Sequence, residues 1–104
     1  MIKIFHSDQI INSEQAYTEW LRKHQDGFVV NLPKSAKGTG RKTDANITCV
    51  HKASCLSINP GDKNSAFTTN AYFKCWATTL VEAEKEARSI TGLSLLRHCS
   101  KCHC

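Results

Sequence analysis

Apolar and polar positions change period along the chain, and the changes mark out the elements. Ile2, Ile4 and Phe5 predict a short first strand, with Lys3 turned the other way. From Ser13 the period lengthens. Ala16 and Trp20, with Tyr17, Leu21 and His24, fall at i, i+3 and i+4 spacing and give a helix one apolar face, running to about Gln25. Asn12 and Gln15 have the spacing of a capping box at its start. Asp26-Gly27 ends it, with Gly27 as the expected left-handed cap. Phe28-Val29-Val30-Asn31-Leu32 is an apolar, β-branched run and predicts a central strand.

A polar stretch, Pro33 to Asp44, interrupts the pattern. Strand alternation resumes over Ala45 to Val50, where Ile47 and Cys49 oppose Asn46 and Thr48, and His51 follows on the Cys49 side. Leu56-Ser57-Ile58 is a short apolar segment, and Asn59-Pro60-Gly61-Asp62 is a turn signal. Ala71 to Ala77 predicts a further strand, with Tyr72, Lys74 and Trp76 on one side and Phe73 and Cys75 on the other. Thr79 and Glu82 form a capping box for a second helix, which runs to about Thr91 with Leu80, Ala83, Ala87 and Ile90 as its inner stripe. Glu84 and Arg88 can pair on its outer side, and Gly92 stops it. Leu93 to Leu96 then returns to the core.

These elements describe a small α+β domain: strand–helix–strand–strand, then strand–helix–cysteine turn. The expected sheet is mainly antiparallel, with two helices packed on it. At 104 residues, without repeats or a shift in composition, the chain reads as one domain, 1–104, divided into a 1–50 half and a 51–104 half. The hydrophobic fraction of 40% implies a small core, which a metal staple would help. The start, MIKIFHSDQII, has no apolar run of secretory type, and no stretch approaches the roughly 20 apolar residues of a membrane span. A cytoplasmic location is expected, with reduced thiols. There a Cys-x-x-Cys points to metal or redox chemistry rather than a disulfide. The redox motif sits at a helix N-terminus after a strand, and no helix follows Cys102 in this sequence.

Four side chains carry the candidate chemistry. His51 and Cys55 form one pair, Cys99 and Cys102 the other. One imidazole and three thiolates is a common tetrahedral set for Zn2+, whose softness suits N and S donors. Two cysteines at C-x-x-C spacing can grip one ion from a single backbone bend. Cys49 and Cys75 read as strand cysteines packed as small hydrophobes, and Cys104 is a lower-ranked substitute for Cys102. Such a site is closed, leaving no place for a catalytic water, and no acid adjoins either pair in sequence. His98 and His103 read as exposed residues or as hydrogen-bond partners of a thiolate.

The formal net charge is +5, and three thiolates on one dication would take one unit from it. The stretch from Pro33 to Asp44 concentrates Lys34, Lys37, Arg41 and Lys42 against a single acid. A Walker phosphate loop fails here, because Ser35 stands where its first Gly belongs and Arg41 where its Lys belongs. The stretch reads as a solvated loop, with a phosphate-contacting finger as the functional alternative.

From His51 onward the chain resembles the metal-binding module of the Ada family of bacterial DNA-repair proteins. The matching features are His51, Cys55, a helix ending at Gly92, Cys99 and Cys102. It resembles most the variant whose first ligand is His, a small module in assorted bacterial proteins, some of them nucleases. The resemblance covers roughly the second half, and the connector from Ser57 to Lys74 is longer than in the compact module. It implies the scaffold and the zinc. It argues against the methyl transfer of Ada proteins, because His51 replaces the thiolate that accepts the methyl group.

The expectation is a non-catalytic structural-zinc module that binds DNA or another anionic partner through the Lys34–Lys42 loop. The alternatives are a metal-bearing fragment of a DNA-processing enzyme, and a zinc-free homodimer joined at a sheet edge or through Trp20 and Trp76. No membrane partner is expected.

Overall fold

The computed structural model of the chain describes residues 1–33, 48–55, 58, 68, 72–92 and 96–100. The expected α+β architecture is present. Strand β1 is Ile2–Phe5, helix α1 is Ser13–Lys23, and strands β2 and β3 are Phe28–Pro33 and Cys49–Lys52. Strand β4 is Tyr72–Ala77, helix α2 is Leu80–Thr91, and strand β5 is Arg97–His98. The five strands form one sheet in the order β1-β4-β2-β3-β5. All pairs are antiparallel except β3 with β5, which is parallel. The basic loop residues Lys34, Lys37, Arg41 and Lys42, and the proposed strand residues before Thr48, lie outside the described residues.

Period-2 alternation divides the sheet's side chains between two cores, one under each helix. On one face Phe5, Val29 and Trp76 pack with Tyr17 and Leu21 of α1. On the other Val30, Leu32, Val50, Phe73, Cys75 and Ala77 pack with Ala83 and Ala87 of α2. The result is a helix–sheet–helix sandwich. β2 lies in the middle and reads as a nearly continuous apolar run, as a strand covered on both faces does.

The two helix starts differ. Thr79 caps α2 as its sequence predicts: its Oγ1 accepts from the Glu82 N–H at 3.2 Å and donates to the Glu82 carboxylate at 3.0 Å. Gly92 ends α2 in the left-handed region, φ 76°. Thr79→Ala is expected to cost about 1 kcal/mol of stability, read as a shift in a urea midpoint. The Asn12–Gln15 capping box does not form. Asn12 itself is left-handed, φ 59°, and makes no side-chain cap. The first turn of α1 is instead tied to Thr68, whose N–H donates to the Glu14 carboxylate at 2.6 Å and whose hydroxyl meets that of Ser13 at 2.8 Å.

The end of α1 also departs from expectation. The helix stops at Lys23, and Gly27 has no positive φ. The helix end is held by Trp76, whose indole N–H donates to the His24 carbonyl at 3.1 Å. Gly27 is required for a different reason: a Cβ built there would lie 2.5 Å from Trp76 Cε2. Trp76 is 4% exposed, so it offers no surface for the dimer contact expected of it.

Candidate metal centre

Three of the four predicted ligands converge. The donor atoms of His51, Cys55 and Cys99 all lie within 4.8 Å of one another, and the group can hold a metal ion. Each arrives by its own route. His51 is on β3, opposite Val29 of β2, and so faces the α1 side of the sheet. After Lys52 the chain turns, with the Cys55 N–H donating to the Lys52 carbonyl at 2.9 Å, which brings Cys55 back beside His51. This turn is what the three-residue spacing between His51 and Cys55 encodes. It is anchored twice: Ala53 N–H donates to the Gly27 carbonyl at 2.9 Å, and Tyr17 OH donates to the Ile58 carbonyl at 2.6 Å. Burial holds the Tyr17 hydroxyl well above its ordinary range, with the charges of Glu14 and Cys55 adding, so it remains a donor.

Cys99 comes from the other side. β5 runs parallel to β3 with Val50 paired to His98, and the Cys99 N–H donates to the Val50 carbonyl at 2.8 Å. The next residues along the two strands are His51 and Cys99. A two-residue strand is too short to show periodicity, so sequence reading does not find it. Cys102 and its substitute Cys104 lie outside the described residues, as does His103.

The donor set fits a metal by three observations. The Cys55 and Cys99 sulfurs are 3.8 Å apart. Two thiolates about 2.3 Å from one tetrahedral ion stand about 3.8 Å apart, whereas a disulfide needs about 2.05 Å. His51 Nδ1 is buried and has no hydrogen-bond partner among the described residues, which is rare for a buried polar atom in a native structure. Burial also pushes His51 down to about 4, helped by the positive charge of Lys74, so at neutral pH the imidazole offers a lone pair. His51 and Cys55 are buried and Cys99 is half-buried, so the site closes one end of the α1-side core.

The remaining candidates separate cleanly. Cys75 faces the α2-side core, where burial, then the charge of Glu86, pushes its thiol up to about 12. Cys49 does not pack in a core as expected: it is half-buried and belongs to neither core cluster, Val50 being the core residue of β3. His98 is exposed and lies 3.4 Å from the Glu84 carboxylate, outside the three-residue group.

Lys74 is a residue that the spacing of ligands does not point to. It is 4% exposed, its ammonium donates to Asn31 Oδ1 at 2.7 Å, and burial pulls it down to about 8 against the opposing charge of Glu14. A signal for it exists in the sequence. Alternation places Lys74 between Tyr72 and Trp76 on the inward side of β4, where a charged residue needs a partner. Its cation is close enough to act on His51.

No helix among the described residues is long and apolar enough to cross a membrane. No protein-family model matches the chain, and neither does any curated protein or solved structure.

Proposed function

We propose that the domain is a structural zinc module that binds an anionic partner, nucleic acid foremost. The observation that carries the zinc assignment is the convergence of His51 and Cys55, from β3 and the turn after it, with Cys99, from the end of β5. Cys102 is the fourth ligand, three positions beyond Cys99, at the spacing that lets one bend supply two thiolates. An imidazole and three thiolates close the tetrahedron, so the ion supplies folding free energy and leaves no place for a reacting water. Zinc with three thiolates is net negative, and the buried Lys74 cation nearby suits that charge. The likeness to the His-first variant of the Ada module supports the same set. With His51 at the first position, an imidazole stands where Ada proteins have the thiolate that accepts the methyl group. The formal charge of +5 and the basic residues between Lys34 and Lys42 support an anionic partner.

The test is metal content by mass spectrometry on untagged protein, with thiols counted by a maleimide before and after chelation. One zinc per chain is expected, with Cys55 and Cys99 protected until the chelator is added. Cys75 should stay slow in both states for as long as the α2-side core is folded. A metal-free chain whose Cys55 and Cys99 react at once would overturn the assignment.

A further inference from the structure

A cleft of about 370 Å³ opens between α1 and β1, within the size range of ligand sites. Its walls are Phe5, Ala16, Trp20 and His24, and its rim carries Lys3, Lys23 and Glu19. Trp20 is set rigidly. The His24 ring stacks on it at 4.0 Å and 27°, and Trp76 meets it edge-on at 5.3 Å. The Lys3 ammonium stands 4.3 Å from the Trp20 ring centre. Lys3 and His24 thus both cap the indole. Lys3 is exposed, as is Lys23, and its flexible stem makes it a cover that can move away.

The parts have complementary chemistry. A fixed indole is a stacking platform that accepts any base, because every base has a π-face. Ammonium groups beside such a platform meet the phosphate that each base carries. Two cations against the one acid, Glu19, leave the rim positive. Another cleft, along residues 7–15, has the same volume, but its one charged residue is the acid Glu14, which does not suit a phosphate.

We propose that the α1–β1 cleft takes a nucleobase on Trp20, with Lys3 and Lys23 on the attached phosphate. Lys3 leaves the ring as the base arrives and keeps its charge beside it. This rests on the reading of the domain as a nucleic-acid binder, and it places the contact on α1 rather than only on the basic residues between Lys34 and Lys42. The shared chemistry is a phosphate-bearing base, supplied by a single strand or by a free nucleotide.

The test titrates the metal-loaded full chain with a labelled ten-residue thymidine strand and, separately, with thymidine monophosphate. Anisotropy and tryptophan emission are followed. Trp76 is buried beside Trp20, so the emission change that Trp20→Ala removes is the one that reports the cleft. Trp20→Ala is expected to weaken binding about 5- to 150-fold, the range for losing one base stack, while Trp20→Phe retains most of it. Lys3→Glu with Lys23→Glu leaves the core untouched and is expected to weaken binding at least tenfold. It should also flatten the salt dependence by about 0.7 for each phosphate no longer neutralised. A strand that binds no tighter than the monophosphate assigns the cleft to nucleotides, and a tighter strand assigns it to polymer. Wild-type affinity in the charge-reversed chain overturns the proposal, even if Trp20→Ala fails to fold. So does weakening confined to Lys37→Ala, Arg41→Ala and Lys42→Ala, which would leave the general nucleic-acid reading standing. Failure of both probes to bind sinks this inference; duplex DNA that still binds would leave the nucleic-acid reading standing, and the zinc assignment is decided separately by metal content.

Discussion

On the zinc assignment, chelation is expected to be the most damaging single change to this chain. Structural zinc contributes on the order of 10 kcal/mol to the folding of small finger peptides. Here two packed cores share the work, so the loss is smaller. Even a loss of about 3 kcal/mol would lower the melting temperature of a domain this size by roughly 12–24 °C. The damage should begin at β5. That strand has two residues, both exposed, and it is held by a short pairing with β3 and by the Cys99 amide on Val50. Hydrogen exchange should therefore show the Cys99 amide opening first, before Val29 and Val30 in the middle strand. Cys55→Ser should reproduce the effect, because a serine oxygen is a poor substitute for a thiolate on zinc. Cys75→Ser should not release metal, since Cys75 lies across the sheet. Melting that is unchanged by chelation, with one zinc lost, would show that the ion holds nothing together.

The second large effect concerns the floor of the α1 side. Gly27→Ala is expected to destabilise by about 1–3 kcal/mol, the usual cost of overpacking. The added methyl would lie 2.5 Å from the indole of Trp76, which is buried and tied by its N–H to His24. A buried ring anchored in this way cannot move out of so close a contact cheaply. Trp76→Phe removes the atoms that clash and gives up one hydrogen bond, about 1 kcal/mol. The double variant should therefore be less destabilised than the sum of the singles, by at least about 1 kcal/mol. Urea denaturation of the four chains measures this. Strict additivity would mean that Gly27 is needed for something other than room.

Gly27 also shows where sequence reading stops. A Gly after Asp at the end of an amphipathic helix reads as a left-handed cap, because that is the local use of glycine. The actual constraint is a tryptophan far along the chain, and no local pattern encodes such an approach. Asn12 misleads in the same way: the first turn it precedes is held by Thr68, again from a distance. By contrast, α2 is legible to both ends, since Thr79, Glu82 and Gly92 act within their own turns. The apolar run from Phe28 marks the central strand because double-sided burial leaves few polar positions. In the metal centre, the spacing of His51 and Cys55 encodes a turn and is readable. The approach of Cys99 is readable only as chemistry, since the parallel pairing that positions it depends on where the rest of the sheet lies. Lys74 marks itself by parity, but its partner Asn31 is set by strand order.

Strand order also bears on how the chain reaches this state. β4 pairs with β1 on one side and β2 on the other, so Ile4 meets Cys75 and Val30 meets the same residue. The first two strands have no direct pairing with each other, and their common partner is made late. A growing polypeptide therefore cannot complete its sheet until β4 has left the ribosome. Until then Phe5, Val29 and Val30 lack the strand that covers them. With pairings this distant in sequence, folding is expected in milliseconds to seconds rather than microseconds. Assembly thus waits on a strand made well after the two it joins.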